Sequence, residues 1–107
     1  MTTTDDTAII VTGTARGSDS TIDALMDLAL RHVHRSRTEP GCISHAVYRD
    51  VEDPNRLFFF ERWANRSALD MHFSVAGSNE FVKQLNSLTS EPASLHIDVV
   101  TTKQGER

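Results

Sequence analysis

The segment Arg56–Trp63 carries large apolar side chains on both faces of one predicted strand, and this pattern restricts the folds available to the chain. Alternation along an extended backbone divides the segment into two faces. One face carries Leu57, Phe59, Glu61 and Trp63, and the other carries Phe58, Phe60 and Arg62. A strand that is apolar on both sides needs cover on both sides. We expect helices to cover one face and the sheet of a partner chain to cover the other.

The residues before this strand are predicted to pair with it as a hairpin. Residues 42–50 alternate in the same way, with one face made of Ile43, His45, Val47 and Arg49 and the other made of Cys42, Ser44, Ala46 and Tyr48. Between the two strands, Glu52-Asp53-Pro54-Asn55 has the composition of a turn. The two strands are therefore predicted to form an antiparallel hairpin.

Two further strands and a first helix are predicted around the hairpin. Residues 7–15 and 94–102 have the β-branched and alternating patterns that are typical of strands. Ser20 and Asp23 have the spacing of a capping box, which predicts the start of a helix that ends near Arg37. The apolar positions of this helix recur at helical spacing and are Ile22, Leu25, Met26, Ala29 and Val33.

The second helical region is predicted in two pieces. Asn65 is a good N-cap for a short helix through Phe73, and Gly77-Ser78-Asn79 is expected to interrupt it. Residues 80–88 continue at helical spacing. The order βαββαβ predicts an α+β, ferredoxin-like fold, with a four-stranded antiparallel sheet and helices on one face. We expect a single domain over residues 1–107 with its core at about residues 8–102.

Length and charge exclude several classes of function. A domain of 107 residues buries only about 60–70% of its unfolded surface, so a partner subunit would help and a homodimer is expected. The formal net charge is −4, which is unsuited to gathering nucleic acid. No apolar run approaches the about 20 residues that span a bilayer, and residues 1–6 lack the apolar region of a signal peptide. We expect a soluble, cytoplasmic protein with neither nucleic acid nor membrane as a partner.

The cysteine and the histidines do not predict a metal site. Cys42 is the only cysteine, and no Cys/His cluster has metal-ligand spacing. His32 and His34 are two residues apart on a predicted helix, so they point to different sides and cannot share a metal. His96 shares a strand face with Asp98, which is typical of a surface pair. Because a phosphate-binding glycine motif is also missing, we expect neither metal nor flavin as a cofactor.

Four short motifs follow one another in the middle of the chain. They are Glu39-Pro40-Gly41-Cys42, Asp53-Pro54, Glu61-Arg62-Trp63 and Ala68-Leu69-Asp70-Met71-His72. Together they resemble the antibiotic biosynthesis monooxygenase family, and the resemblance extends over roughly residues 9–100. It implies a small ferredoxin-like domain that dimerises through its sheet into a dimeric α+β barrel. It also implies oxidation of a hydroxylated aromatic or quinol substrate by molecular oxygen, without metal or flavin.

The resemblance also implies a set of site residues. The family places a tryptophan at the end of the third strand and a histidine nine residues later, which Trp63 and His72 match without a gap. With the neighbouring Asn65, these two form the expected catalytic set. A histidine with a pKa near about 6.5 can take a phenolic proton near neutral pH, and an indole offers a flat wall and an N–H donor. The expected substrate-binding residues of the cleft are His45, Phe59, Glu61, Phe73 and Phe81.

Each member of this set also has a purely structural explanation. Trp63 could be a core residue only, since such a ring buries a large apolar area. His72 could be a partly exposed helix histidine without a task, and Asn65 could act as an N-cap alone. Glu61 could support the site through a hydrogen bond or could simply pair with a basic residue.

Two departures from the family pattern bear on the function. Haem-degrading relatives take an asparagine from the first strand, but residues 8–15 contain none. Many members carry a second histidine before the last helix, whereas residues 75–80 have none, which puts a two-histidine scheme in doubt. The leading hypothesis is a cofactor-independent monooxygenase. The alternatives are a non-catalytic dimeric small-molecule-binding module and, less favoured, a haem-binding or haem-degrading protein.

Overall fold

The computed structural model describes residues 6–102 and has the predicted order of elements. The elements are β1 (Asp6–Arg16), α1 (Ile22–Ser36), β2 (Cys42–Arg49), β3 (Arg56–Trp63), α2 (Arg66–Ser74), α3 (Ala76–Leu88) and β4 (Ser94–Thr102). The four strands form one sheet in the order β2-β3-β1-β4, and every neighbouring pair is antiparallel. This arrangement confirms the predicted α+β, ferredoxin-like fold. Within the described residues, no helix is both long and apolar enough to cross a membrane.

The two faces of β3 differ in burial as their side chains predict. The face that carries Leu57, Phe59, Glu61 and Trp63 is buried. On the opposite face, Phe58 keeps 39% of its surface exposed, and Tyr48, its partner on β2, keeps 57%. The helices therefore cover one face of the sheet, and large aromatic side chains remain accessible on the other.

A β-bulge in β2 changes the predicted alternation at its start. Cys42 is opposite Trp63 and Ser44 is opposite Arg62, so β2 has one extra residue between these pairs. Cys42 consequently packs against the cluster of Trp63, while Ile43 is 51% exposed. The prediction that Ile43 shares the face of His45 was wrong for this reason.

The start of α1 also differs from the prediction. Thr21, and not Ser20, is the N-cap, and its side chain makes no capping hydrogen bond. Thr21 Oγ1 accepts a hydrogen bond from the Ser18 N–H (2.8 Å), and Ser20 Oγ lies 2.9 Å from Ser18 Oγ. The hydroxyl groups of Thr21 and Ser20 thus make their hydrogen bonds within the preceding loop. Neither of them caps α1, so the predicted capping box with Asp23 does not form.

The division of the second helical region into two helices is correct, but its position is not. Val75 has an extended backbone and separates α2 from α3, whereas Gly77 and Ser78 lie in the first turn of α3. A Cβ atom at Gly77 would come within 2.7 Å of Arg35 Nε, so the glycine leaves room for the end of this flexible side chain. At the start of α2, Asn65 accepts a hydrogen bond from the Ala68 N–H (2.8 Å), which confirms it as the N-cap.

Two apolar clusters form the core between the sheet and the helices. The larger one contains the buried face of α1, including Leu25 and Val33, together with Leu57 and Phe59. The smaller one lies under α2 and consists of Ile9, Val11, Trp63 and Leu69. Buried polar side chains accompany these clusters, and those that contact aromatic rings of the core are His32, His45, Glu61 and His72.

Candidate active site

A cavity of about 350 Å³ lies between the helical layer and the sheet. Most of its lining is apolar and comes from β3, α2, α3 and the segment that leads into β4. The polar side chains at its wall include His32, Glu61, His72 and Ser78. A largely apolar cleft with a few convergent polar groups is the usual form of a small-molecule site.

Five of the eight residues predicted for the site line this cavity. They are Phe59, Glu61, His72, Phe73 and Phe81. Trp63 and His45 are instead completely or almost completely buried behind the wall, with exposures of 0% and 1%. Asn65 is exposed at the start of α2, where its side chain caps the helix. The fold therefore brings the predicted aromatic residues together with His72 and leaves Asn65 outside the cavity.

His72 is a buried residue with a fixed orientation. Its side chain is only 3% exposed, which excludes the alternative of a partly exposed helix histidine. Its Nδ1 atom lies 2.7 Å from Glu39 Oε1. A carboxylate can only accept, so the histidine Nδ1–H donates this hydrogen bond, and in the neutral ring the nitrogen without a proton is Nε2. The contact thus sets the tautomer in which Nε2 can act as a base.

Glu39 was not predicted as a site residue, and long-range structure explains its position. Gly41, two residues later, has a φ of 84°, and a Cβ atom at this glycine would approach Ala68 Cβ to 2.4 Å. The turn therefore lies directly against α2, which brings Glu39 to His72. On its other side, the Glu39 carboxylate accepts a hydrogen bond of 2.7 Å from Arg35 Nη1 of α1. The four-residue motif that contains Glu39 was the only signal for it in the sequence.

Glu61 connects the cavity with the two residues behind its wall. Its Oε1 atom accepts a hydrogen bond from the Trp63 Nε1–H (2.8 Å) and lies 3.2 Å from His45 Nε2 and 3.9 Å from His72 Nε2. Burial by itself would raise the pKa of the Glu61 carboxyl, but the adjacent His45 and the Trp63 indole favour the carboxylate more strongly, so the pKa is lowered. Glu61 is thus an anion at the cavity wall.

His32 was missed as a site residue, although the sequence contains a signal for it. It lies seven residues after Leu25 and four after Leu28, on the buried side of α1. Its ring stacks on Phe81 with a centroid distance of 3.8 Å, and its Nδ1 accepts a hydrogen bond from Arg35 Nη2 (2.8 Å). Burial, and then the proximity of His45, His72 and Arg35, lower the pKa of His32 to about 2. His32 is therefore a neutral imidazole in the folded protein.

Three histidines from three different elements meet beside the cavity. The ring centroids of His32, His45 and His72 are 5.3 to 5.6 Å apart. Each ring has a nitrogen atom within 4.8 Å of a nitrogen atom of the other two. The sequence gives no metal-ligand spacing for this group because its members come from α1, β2 and α2. Imidazole nitrogens in this arrangement could hold a transition-metal ion.

His45 has no hydrogen-bond partner for either ring nitrogen among the residues that the structure describes. Its Nε2 is close to Glu61, but the contact is not aligned as a hydrogen bond. A buried polar group without a partner costs about 1–3 kcal/mol. Such side chains are rare in native proteins, and a catalytic role, a water molecule or a bound ion are among their explanations.

Comparisons with known proteins agree with this fold. The sequence profile of the antibiotic biosynthesis monooxygenase family matches residues 8–84. The uncharacterized protein sll1783 of Synechocystis sp. is 35% identical over 99 residues, which are 92% of this chain and 67% of that protein.

Solved structures show the same architecture. A conserved protein from Methanosarcina mazei Go1 has a TM-score of 0.82 at 24% identity, covering 87% of this chain and 92% of that one. The Rv0793 protein of Mycobacterium tuberculosis has a TM-score of 0.81 at 23% identity, covering 92% and 97%. At this level of identity the two structures support the fold alone. The match of the family profile over most of the chain shows that this protein belongs to the antibiotic biosynthesis monooxygenase family.

Proposed function

We propose that the protein is a monooxygenase that oxidises a hydroxylated aromatic or a quinol with molecular oxygen in the 350 Å³ cavity. The observation that carries this proposal is the pair formed by His72 and Glu39, whose hydrogen bond of 2.7 Å leaves His72 Nε2 as a base at the wall of an apolar cleft. Membership of the family supports the same reaction class.

In this scheme His72 removes the phenolic proton of the substrate. Triplet oxygen reacts slowly with a neutral phenol, whereas the phenolate can transfer one electron to it. His72 Nε2 takes the proton, and the carboxylate of Glu39 stabilises the imidazolium that forms. Glu61 Oε1 lies 3.9 Å from the same nitrogen of His72.

The oxidation then needs no electrons from outside the substrate. Superoxide and the phenoxyl radical combine to form a carbon–oxygen bond, and the resulting peroxide takes the proton back from His72. The O–O bond breaks as the hydrogen on the same carbon leaves as a proton, so that one oxygen atom stays as a carbonyl and the other leaves as water. The phenol and one molecule of oxygen thus become a quinone and water, without a metal or flavin.

The cavity is suited to a planar, compact ring system. Phe59, Phe73 and Phe81 contribute aromatic surface to its lining. Its volume of about 350 Å³ is at the lower end of the range of about 300–1,000 Å³ for small-molecule sites. We therefore infer that the substrate has few rings and few charged substituents.

Trp63 and His45 act as positioning residues in this proposal. The Trp63 ring lies against that of His72, with a centroid distance of 4.6 Å, and its N–H holds Glu61. His45 lies behind Glu61 and has no contact with the cavity. We assign no chemical step to Asn65, since its side-chain oxygen is used by the helix cap.

We also propose that the protein is a cytoplasmic homodimer. The open face of the sheet exposes the aromatic side chains of Phe58 and Tyr48. A second copy packed on this face would cover them and form the dimeric α+β barrel expected from the sequence.

Oxygen uptake tests the proposed reaction. Chelator-treated protein should consume oxygen with at least one of a panel of hydroquinones and naphthols, and His72→Gln should lower this rate by about 10²-fold, the usual effect of losing a general base. His34→Gln is the matched control, because His34 is an exposed histidine of α1. Wild-type turnover in His72→Gln would contradict the proposal. Saturable binding of the panel without any oxygen uptake would favour the non-catalytic binding module.

A further inference from the structure

We infer that His32, His45 and His72, together with Glu61, form a binding site for one divalent transition-metal ion. Imidazole nitrogen and carboxylate oxygen are ligands that suit zinc, iron, cobalt, nickel and copper better than magnesium or calcium. This site goes beyond the proposed oxidation, and it reverses the expectation from sequence spacing that the protein has no metal-binding cluster.

The donor atoms are already close together. The three histidine nitrogens lie within 4.8 Å of one another. Ligands at about 2.1 Å around a tetrahedral ion would be about 3.4 Å apart, so nitrogen atoms that are 4.8 Å apart must approach by about 1.4 Å. Glu61 Oε1 adds an oxygen donor 3.2 Å from His45 Nε2 and 3.9 Å from His72 Nε2. Side-chain rotations can supply a movement of this size. His32 must also give up the hydrogen bond from Arg35 Nη2, because that bond uses the lone pair of Nδ1 and leaves the proton of the neutral ring on Nε2.

His45 is the strongest pointer to a ligand. It is 1% exposed, and neither of its ring nitrogens has a hydrogen-bond partner in the described part of the chain. A metal ion between the three rings would give this imidazole the partner that the protein side chains do not supply.

A carboxylate holds one of the three histidines from behind, as is common around metal-bound histidines. Glu39 accepts a hydrogen bond from the Nδ1–H of His72. Nε2 is therefore the nitrogen of His72 that can coordinate an ion. The Trp63 indole N–H orients the Glu61 carboxylate by donating a hydrogen bond to its Oε1 atom. The charges of Glu39 and Glu61 would also compensate those of the ion, although Arg35 beside Glu39 offsets part of this effect.

The ion would be reached from the cavity. His32, Glu61 and His72 line the cavity, whereas His45 lies below them. The four protein ligands would fill a tetrahedron, so a water molecule or a substrate oxygen from the apolar cleft would bind as a fifth ligand. The same ion would occupy the Nε2 of His72 that the proposed oxidation uses, so the metal-bound form and the base form exclude each other.

Cobalt(II) is a suitable probe because its visible absorption reports the number and type of its ligands. The full-length, untagged chain is treated with a chelator, dialysed and titrated with Co²⁺, and bound metal is measured by elemental analysis. We expect one Co²⁺ per chain, with the visible bands of a nitrogen-coordinated ion. His45→Gln should weaken binding by at least the roughly 10–100-fold that loss of a supporting group commonly brings.

His34→Gln and His96→Gln are the matched controls, since both histidines are exposed and lie outside the cluster. They should bind Co²⁺ as the wild type does. If His45→Gln fails to fold, as judged by circular dichroism, His32→Gln carries the same test. The inference is overturned if Co²⁺ does not bind with saturation, or if binding is unchanged in the cluster variants or lost in the controls.

The outcome does not depend on the proposed oxidation. Metal binding is measured without substrate, and oxygen uptake is measured in chelated protein without metal. If both proposals hold, Co²⁺ at concentrations that fill the site lowers the rate of oxygen uptake by the chelator-treated protein.

Discussion

The Nδ1 atom of His72 and the Oε1 atom of Glu39 are 2.7 Å apart although 33 positions separate the two residues in the sequence. The contact joins α2 to the loop that leads into β2. It holds the imidazole in one tautomer and turns Nε2 away from the carboxylate, so a structural contact between two segments also defines the chemistry of the site.

Glu39→Gln tests this relationship. The amide can donate to Nδ1, which would move the proton of the imidazole to Nε2 and remove the base. We expect turnover to fall by roughly 10-fold or more, with a smaller change in substrate affinity. Glu80→Gln is the control, because Glu80 is exposed on α3. An unchanged rate in Glu39→Gln would show that the tautomer does not depend on this carboxylate.

Trp63→Phe tests the contact between the indole and Glu61. The smaller ring leaves a void at a position with 0% exposure and removes the donor of the 2.8 Å hydrogen bond. We expect the free energy of unfolding, measured with urea, to fall by about 1–3 kcal/mol. A double-mutant cycle with Glu61→Gln should give a coupling energy above about 0.5 kcal/mol. Additive effects would mean that the hydrogen bond contributes little.

Asn65→Ala separates the helix cap from a role in catalysis. Loss of the hydrogen bond to the Ala68 N–H should lower the free energy of unfolding by about 1 kcal/mol. Asn65→Asp keeps a capping oxygen and should retain most of the stability. Turnover at a temperature where both variants are folded then shows whether Asn65 does more than cap α2. A loss of turnover in both variants, without a loss of stability, would return Asn65 to the catalytic set.

The exposed aromatic residues of the sheet predict the oligomeric state. Light scattering at micromolar concentration should give about twice the chain mass of 11.9 kDa. Phe58→Glu places a charge on the open face of the sheet and should shift the protein toward the monomer, because burying that charge in an interface is unfavourable. Val51→Glu is a control on the turn after β2, where the side chain is 97% exposed. A wild-type monomer at all concentrations would rule out the dimer.

The elements that sequence patterns predicted well are those decided by local chemistry. The two faces of β3 follow from strand alternation, and the cap at Asn65 follows from a side chain that reaches its own helix. The break between the two helices was predicted at Gly77-Ser78-Asn79, because glycine was taken as a helix breaker. The structure has this break at Val75. Gly77 instead lies inside α3, where it leaves room for the end of the Arg35 side chain from α1.

The lining of the candidate cavity was predictable only where a single residue carried the signal. His72 and the aromatic lining followed from the family motifs and the strand pattern. The contact with Glu39 and the meeting of His32, His45 and His72 depend on how α1, β2 and α2 pack together. No spacing along the chain encodes these contacts, so neither could be inferred before the fold was known.

The separate origins of the three histidines have a consequence for folding. In the unfolded chain their rings are far apart, so a ligand that bridges them binds the folded state almost exclusively. At a concentration of about 100 times its dissociation constant, such a ligand would stabilise the fold by about 2.7 kcal/mol. The thermal midpoint of the whole domain would then rise with the logarithm of ligand concentration, and a melting curve would report the occupancy of the cluster without a spectroscopic probe.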